Sequence, residues 1–309
     1  MKKFLFLLAI GFIFVAIISG GHFGVKGKGL VAQTIDGTSV SQDIPGVTLS
    51  ISPADIYQGD PALITIDGID ATSTIKSLTF NNGKGLGIFE WKNKLSALVG
   101  IDARMKPGTY PLTLTLADGK IMQKDFIVLA RTKVNEPFPI PDKLGGNTAS
   151  STKELINTLD KESAIMTSIP TSDQVLWTEP FGFPLYDPVV IDPYGMTRLN
   201  GYSTLMHKGT DFKADTGTMV LAINAGVVRY IDYLRDYGNT VVIDHGMGVQ
   251  SFYLHLSQVH LDIGEKVFKG EIISSTGDTG FVLAPHLHLS IKINEISIDP
   301  EKFIALMGN

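Results

Sequence analysis

The sequence predicts a mainly β protein in which two β regions are joined by a short connector with one helix. Apolar residues alternate with a period of two over many short segments, and glycines or Asn-Gly and Asp-Gly dipeptides separate these segments. Only one convincing helical pattern occurs between them. The chain has 309 residues, of which 44% are hydrophobic and 18% are charged. This is the balance of a folded globular protein long enough for two domains.

The first 21 residues are typical of an export signal. Two lysines follow the initiating methionine and precede an apolar run from Phe4 to Ser19. This is the arrangement of a signal peptide, and small residues at 19–21 suit a signal peptidase. The run is slightly long for a signal and slightly short for a membrane span. A cleaved signal peptide and a retained N-terminal membrane anchor therefore both stay open, and we expect an exported protein of the cell envelope (periplasm or cell surface).

The composition excludes several classes of site. The chain contains no cysteine, so it has no disulfide framework, thiol nucleophile or thiolate metal site. The formal net charge of −5 offers no basis for binding nucleic acid, and we expect none. Any catalytic or metal site must therefore use His, Asp, Glu, Ser or Tyr.

Residues 22–45 are predicted to form a linker, and residues 46–131 a small β-sandwich. The linker is rich in Gly, Ser, Thr and Gln. Seven short alternating segments follow, and Asp118-Gly119 predicts a hairpin between the last two. This layout resembles an immunoglobulin-like sandwich without its cysteine pair, and its expected role is binding or spacing. The predicted strands cover residues 47–51, 62–66, 75–80, 86–91, 95–101, 110–116 and 121–129.

Residues 132–178 are predicted to be the connector, and residues 179–309 a second, antiparallel β domain. In the connector, Ser151 and Glu154 have the spacing of a capping box at a helix start. We expect this helix to end before Pro170. From residue 179 onwards, short β-branched and aromatic segments alternate with glycines, which favours antiparallel strands.

Six of the seven histidines lie in the last 103 residues. His286 and His288 share one face if they lie on a strand, and the apolar residues between and after them point to the other face. His207 and Asp211 lie four residues apart, with a glycine between them that favours a strand or loop over a helix. His255 alternates with Tyr253, so we expect the two side chains on the same strand face.

Taken together, these residues predict a catalytic metal site. His207, Asp211 and one histidine of the 286/288 pair give three N/O ligands and leave a fourth position for water, which is typical of catalytic zinc. Proton transfer then falls to the remaining histidines, His255 and the other member of the pair. The other three histidines, His22, His245 and His260, are not assigned to a site.

In this order, His207-x-x-x-Asp211, Tyr253-x-His255-Leu256 and His286-Leu-His288 resemble the lysostaphin/LytM-type zinc endopeptidases. The resemblance covers residues 179–304. Glycine-containing segments at 244–248, 264–270 and 276–280, and an Asp-Pro pair at 299–300, support it. Leu283-Ala284 depart from the Thr-Gly that such proteins usually carry before Pro-His-Leu-His, which affects the groove rather than the metal ligands.

The resemblance implies a LytM-like, duplicated-hybrid-motif fold for the C-terminal domain and one Zn²⁺ per chain, held by His207, Asp211 and His288. It implies that His255 and His286 are catalytic. They would assist a zinc-activated water in hydrolysing peptide cross-links of bacterial peptidoglycan. The alternative is a non-catalytic LytM-like regulator that activates another cell-wall hydrolase. Such regulators characteristically lose zinc ligands, whereas this chain keeps all five positions.

Two further residues precede His207. Arg198 and Tyr202 are predicted to lie in a plain surface loop rather than to contact substrate. The sequence specifies neither the peptide bond that is cut nor the oligomeric state.

Overall fold

The computed structural model describes residues 43–69, 74–137, 140, 145–177, 179–199 and 201–308. The predicted signal or anchor over residues 1–21, and the predicted linker up to residue 42, lie outside the described residues. Among the residues described, no helix is both long enough and apolar enough to cross a bilayer.

The region from residue 48 to residue 128 forms seven strands in two antiparallel sheets. One sheet has the order β1-β2-β5-β4, and the other has the order β3-β6-β7. Asp118 and Gly119 connect the last two strands, with Gly119 at a φ of 89°, which a residue with a side chain rarely adopts. The bounds are Thr48–Ser52 (β1), Pro61–Asp67 (β2), Ile75–Phe80 (β3), Ile88–Trp91 (β4), Lys94–Gly100 (β5), Gly108–Leu116 (β6) and Ile121–Val128 (β7).

One apolar cluster lies between these two sheets. It contains Ile64 and Ala97 from the first sheet and Leu78, Leu112 and Phe126 from the second, all fully buried. Six or seven strands were predicted here and seven are present, because the alternating pattern identifies the buried face of each. The immunoglobulin-like arrangement of the strands stays a prediction.

The connector contains β8 (Asn135–Pro137) and α1 (Ala149–Thr167). The prediction that a capping box begins at Ser151 is wrong. Thr148 is the N-cap, and its hydroxyl accepts a hydrogen bond from the Ser151 N–H at 3.1 Å. In return, the Ser151 hydroxyl accepts a hydrogen bond from the Thr148 N–H. Serine in the third position can therefore close the box as Glu was expected to do. The helix ends before Pro170, as predicted.

A ten-stranded antiparallel sheet dominates the C-terminal region. Its main path runs β17-β14-β15-β16-β19-β12-β9, and β13, β18 and β20 pair at its sides. Strands β10 and β11 join β8 in a separate small sheet. The bounds are Val190–Asp192 (β9), Thr197–Leu199 (β10), Thr204–Met206 (β11), Thr210–Lys213 (β12), Met219–Leu221 (β13), Gly226–Leu234 (β14), Gly238–Gly246 (β15), Val249–Val259 (β16), Lys266–Val267 (β17), Ile272–Thr276 (β18), His286–Ile293 (β19), Ile296–Ile298 (β20) and Pro300–Met307 (α2).

The two faces of the central strand β19 have different environments. Leu287, Leu289 and Ile291 are fully buried in the main apolar core. Their neighbours along the strand point to the opposite face because the side-chain period of a strand is two. On that opposite face of the sheet, Phe252 and Leu254 of β16 pack with Met166 from the end of α1. The helix therefore covers part of the face that also carries the histidines.

A buried ion cluster connects the N-terminal β region to the C-terminal region. Arg131 pairs with the fully buried Asp60 and, at 3.1 Å, with Asp299, the N-cap of α2. Lys302 of α2 contacts the same Asp60 carboxylate at 2.8 Å. The Arg131 guanidinium also lies over the ring of Tyr194, at 5.2 Å from its centroid. Both buried carboxylates of this cluster, Asp60 and Asp299, therefore have a cationic partner.

Candidate metal site

The three predicted metal ligands meet at one point. Asp211 of β12 is the cross-strand partner of His288 of β19, and His207 follows β11. His288 Nδ1 lies 2.7 Å from Asp211 Oδ1 and 3.0 Å from His207 Nε2. His207 Nε2 lies 3.2 Å from Asp211 Oδ1. The expectation that His207 and Asp211 lie on strand or loop backbone is confirmed.

The outer nitrogen of each predicted ligand histidine is held by a hydrogen bond. His207 Nδ1 donates to the Pro193 carbonyl at 3.2 Å. His288 Nε2 donates to the Ser290 hydroxyl at 2.9 Å, and this hydroxyl donates in turn to the Lys208 carbonyl at 3.0 Å. A neutral imidazole that donates from one nitrogen carries a lone pair on the other. The lone pairs of His207 and His288 therefore both face Asp211.

This donor set fits a zinc ion. Two imidazole lone pairs and a carboxylate oxygen repel one another at 2.7–3.2 Å unless a cation lies among them. Tetrahedral zinc with ligands at 2.0–2.1 Å separates its ligand atoms by about 3.3 Å, close to these distances. Burial by itself would raise the pKa of Asp211, but the electrostatic effect of the adjacent His207, with a smaller one from His288, holds it well below its usual range. Asp211 is therefore an anion.

His255 lies beside this cluster because the backbone of β16 is irregular. The prediction that His255 shares a strand face with Tyr253 is wrong. Tyr253 is buried in the main core, whereas His255 adopts a φ of 61° and its ring lies 6.0 Å from that of His288. The register of β16 shifts just after this point. The positive φ rotates the side chain from the core face to the face that carries His288.

The second predicted catalytic histidine completes the cluster. The rings of His286 and His255 lie 4.9 Å apart, and His286 Nε2 lies 3.7 Å from Asp211 Oδ2. His255 Nδ1 donates to the Thr279 carbonyl at 2.9 Å, and His286 Nδ1 donates to the Ala284 carbonyl at 2.9 Å. Both rings therefore turn Nε2 away from these carbonyls, as a proton acceptor or, once protonated, a donor.

Burial and mutual proximity keep His255 and His288 neutral. Burial, followed by the neighbouring His286 and His288, lowers the pKa of His255 to about 3. Burial lowers the pKa of His288 to about 4, against the opposing effect of Asp211. A neutral His288 can serve as a metal ligand, and a neutral His255 can accept a proton.

The cluster lies in a groove of about 580 Å³. We call this the active-site groove. Its sides come from α1, from the small sheet of β8, β10 and β11, and from the loop before β19. Leu283 of that loop, one of the two residues that depart from the family pattern, is 63% exposed at this groove. The lining residues that the arguments below use are Asp236, Leu283, His286, His288, Ser290 and Lys292.

The prediction that Arg198 lies in a plain surface loop is wrong. Arg198 belongs to β10, and its guanidinium contacts Asp192 and lies 3.6 Å from Asp211 Oδ2. It therefore neutralises the outer oxygen of a predicted ligand. Tyr202 is 59% exposed, in agreement with its predicted surface position.

Several residues beside the site were not predicted from the sequence. Ser290 and Lys292 continue the alternation that starts at His286, so the strand period could have identified them. Glu162 of α1 and Asp236 could not be identified from a sequence pattern, because only the tertiary fold brings the helix to the loop after β14. His245, left unassigned, is buried and bonded to the Ala225 carbonyl and the Ser251 hydroxyl at 2.8 Å each.

Comparison with known proteins identifies relatives of this region. Residues 205–300 match Peptidase family M23. A peptidoglycan DD-endopeptidase, ShyC of Vibrio cholerae, is 39% identical over 94 residues, which are 30% of this chain and 22% of that protein. Lysostaphin of Staphylococcus simulans is 36% identical over 110 residues, or 33% of this chain and 22% of the relative. The chain thus spans about a fifth of the length of these curated relatives.

A longer similarity appears among solved structures. A crystal structure from Pseudomonas aeruginosa assigned to peptidase M23 covers 82% of this chain and 95% of its own, with a TM-score of 0.54 and 23% identity. At this identity the similarity shows a shared fold, and it extends well beyond residues 205–300.

Proposed function

Residues 205–300 make this chain a member of Peptidase family M23, and from this premise we propose that it is a zinc-dependent endopeptidase that hydrolyses peptide cross-links of bacterial peptidoglycan. One observation carries the proposal. His207, Asp211 and His288 direct two nitrogen lone pairs and a carboxylate oxygen to one point, with His255 and His286 beside it.

The proposed site has three ligands and two catalytic histidines. His207 Nε2, Asp211 Oδ1 and His288 Nδ1 hold one zinc ion per chain. When bound, zinc acts as a Lewis acid that acidifies water and polarises a peptide carbonyl. The protein fixes the orientation of the ligand rings through Pro193 and Ser290.

The two other histidines, His255 and His286, provide proton transfer and hydrogen bonding. One of them accepts the proton of the attacking water, and the other donates a hydrogen bond to the oxygen on which negative charge develops. Their outer nitrogens are held by Thr279 and Ala284, so each ring presents Nε2. Arg198 holds the outer oxygen of Asp211 and thereby restricts rotation of that carboxylate.

We propose the predicted domain plan for the whole protein. Residues 1–21 export the chain to the cell envelope as a signal peptide or anchor, and residues 22–45 act as a linker. Residues 46–131 form an immunoglobulin-like sandwich that serves as a binding module or a spacer. Residues 132–178 connect it to residues 179–309, which carry out the reaction. The apolar cluster shared by β1 to β7 supports the sandwich.

The experiment is release of new amino termini from purified peptidoglycan, identified by mass spectrometry. The chain from residue 22 onwards is compared with and without zinc, beside a His207→Ala variant and a His260→Ala control, since His260 lies outside the cluster. Zinc-dependent release that only His207→Ala abolishes supports the proposal, and the fragment masses identify the bond. Absence of release by protein that holds zinc would favour the regulator that activates another hydrolase.

A further inference from the structure

The groove face of β19 extends beyond the metal cluster. His286, His288, Ser290 and Lys292 lie at alternate positions of this strand, so their side chains emerge on one face. All four line the active-site groove. His286 and His288 belong to the cluster and Ser290 holds His288, which leaves Lys292 without a role in the proposed reaction.

The Lys292 ammonium is buried in an unusual environment. The residue is only 6% exposed, and its Nζ lies 3.1 Å from the Thr167 hydroxyl and 4.9 Å from the centroid of the Phe252 ring. Within the described part of the chain, no carboxylate oxygen lies within 4.0 Å of it. An ammonium has three donors, and here one hydroxyl and one aromatic face are its partners.

Burying a cation without an anion is unfavourable, so such groups are usually paired. The partly buried Arg131 follows the rule, since it pairs with Asp60 and Asp299. Burial, with a smaller effect of Lys208, lowers the pKa of Lys292 to about 8. At neutral pH the group is therefore still mostly charged, and it faces a groove that a substrate enters.

We propose that Lys292 forms a carboxylate-binding subsite of the active-site groove and selects peptide substrates that carry a free carboxylate at a defined distance from the cleaved bond. This inference rests on the proposed endopeptidase function and names the substrate class. The ligand is a carboxylate because the groove accepts a peptide, in which a side-chain or terminal carboxyl is the available anion. Thr167 and Phe252 hold the ammonium in place.

The position of the carboxylate follows from strand geometry. Lys292 lies four residues beyond His288, or about 14 Å at 3.4 Å per residue. An extended peptide advances 3.3–3.6 Å per residue, so the carboxylate lies roughly four residues from the cleaved bond. The bound peptide is expected to run along β19.

The test uses the zinc-loaded chain and matched pairs of synthetic peptides that contain the cleaved bond. In each pair one peptide carries a carboxylate and the other a carboxamide, placed at successive positions up to five residues on either side. A charge-assisted hydrogen bond predicts roughly 10- to 100-fold higher kcat/KM for the carboxylate, mostly through KM, at one position. Lys292→Gln should reduce this ratio to about twofold or less, and Lys292→Arg should retain most of it.

Three results decide between the alternatives. No cleavage of any peptide by the zinc-loaded wild-type chain contradicts the proposed function itself. Cleavage without discrimination at any position, or discrimination that survives in Lys292→Gln, overturns the carboxylate subsite alone. Zinc content and thermal melting establish that the variants are folded, and Lys269→Gln, at a lysine outside the groove lining, is the matched control. If Lys292→Gln does not fold, Lys292→Met, which keeps an apolar stem, takes its place.

Discussion

The carboxylate of Glu162 in α1 accepts hydrogen bonds from the backbone N–H of Asp236, at 3.1 and 3.2 Å to its two oxygens, and from that of Tyr237 at 3.3 Å. The turn it holds supports His255, because the Tyr237 carbonyl accepts from the His255 N–H at 2.9 Å. The Asp236 carbonyl accepts from the Phe281 N–H at 2.8 Å, and Phe281 lies two residues after Thr279, whose carbonyl holds the His255 ring. Burial, together with the Glu162 charge, raises the pKa of Asp236 to about 7.

Glu162→Ala is therefore expected to weaken both stability and catalysis. It leaves two buried N–H groups without their acceptor, at a cost of about 1–3 kcal/mol in the free energy of unfolding. Because His255 loses its support while His207, Asp211 and His288 do not, we expect kcat to fall and zinc content to stay unchanged. Urea unfolding, steady-state kinetics and zinc analysis measure the three effects.

Glu154→Ala is the matched control on the same helix. Glu154 pairs with Arg235 at 2.6 Å on an exposed surface, and such pairs contribute at most about 1 kcal/mol. A loss of zinc in Glu162→Ala, or an equal loss of kcat in Glu154→Ala, would show that the helix acts only through general stability.

His255→Ala is expected to abolish most activity while the protein keeps its metal. Loss of a general acid or base typically lowers the rate about 10²- to 10⁴-fold, and His255 is not among the three converging ligands. Asp211→Ala should instead lose both zinc and activity. Zinc analysis beside peptide cleavage separates the two cases, and loss of zinc from His255→Ala would assign that histidine to the ligand set.

Arg131→Ala is expected to lower the free energy of unfolding by roughly 3 kcal/mol, because it leaves Asp299 buried without its cation. Lys302 still contacts Asp60, so that carboxylate keeps a partner. Arg104→Ala is the control: its guanidinium also pairs with an aspartate, Asp102, but is largely exposed, and its loss should cost under about 1 kcal/mol. Similar losses in both variants, measured by urea unfolding, would contradict the role of burial.

His245 is expected to make the protein sensitive to acid. Burial lowers its pKa from 6.5 to about 4, so the unfolded chain binds a proton between these values and the folded chain does not. The free energy of unfolding therefore falls as the pH falls from 6.5 to 4. A single histidine contributes a slope of about 1.4 kcal/mol per pH unit.

The comparison is between the wild-type chain and His245→Asn, both without metal, by urea unfolding at several pH values. Removing His245 should reduce the slope of the free energy of unfolding against pH by about 1.4 kcal/mol per pH unit between pH 4 and 6.5. His255 and His288 contribute equally to the slope in both proteins. Equal slopes would mean that His245 is protonated in the folded chain.

The sequence by itself determined most of the strands and all five residues of the cluster. Alternation with a period of two identified the strands because each has one face in the core, as the buried Leu78 and Leu112 illustrate. The same period put His286 and His288 on one side of β19. The location of a strand and the face that a side chain occupies are local properties. Backbone geometry sets them, so neighbouring residues in the sequence are enough to predict them.

Only the tertiary structure decided how the site is supported. The positive φ of His255 depends on the turn that Glu162 holds, and the sequence showed neither. Arg198 reaches Asp211 because the fold brings β10 of the small sheet close to β12 of the main sheet. The burial of Lys292 and its proximity to Thr167 depend in the same way on α1 packing across the sheet. Each involves partners brought together by burial, which no local pattern encodes.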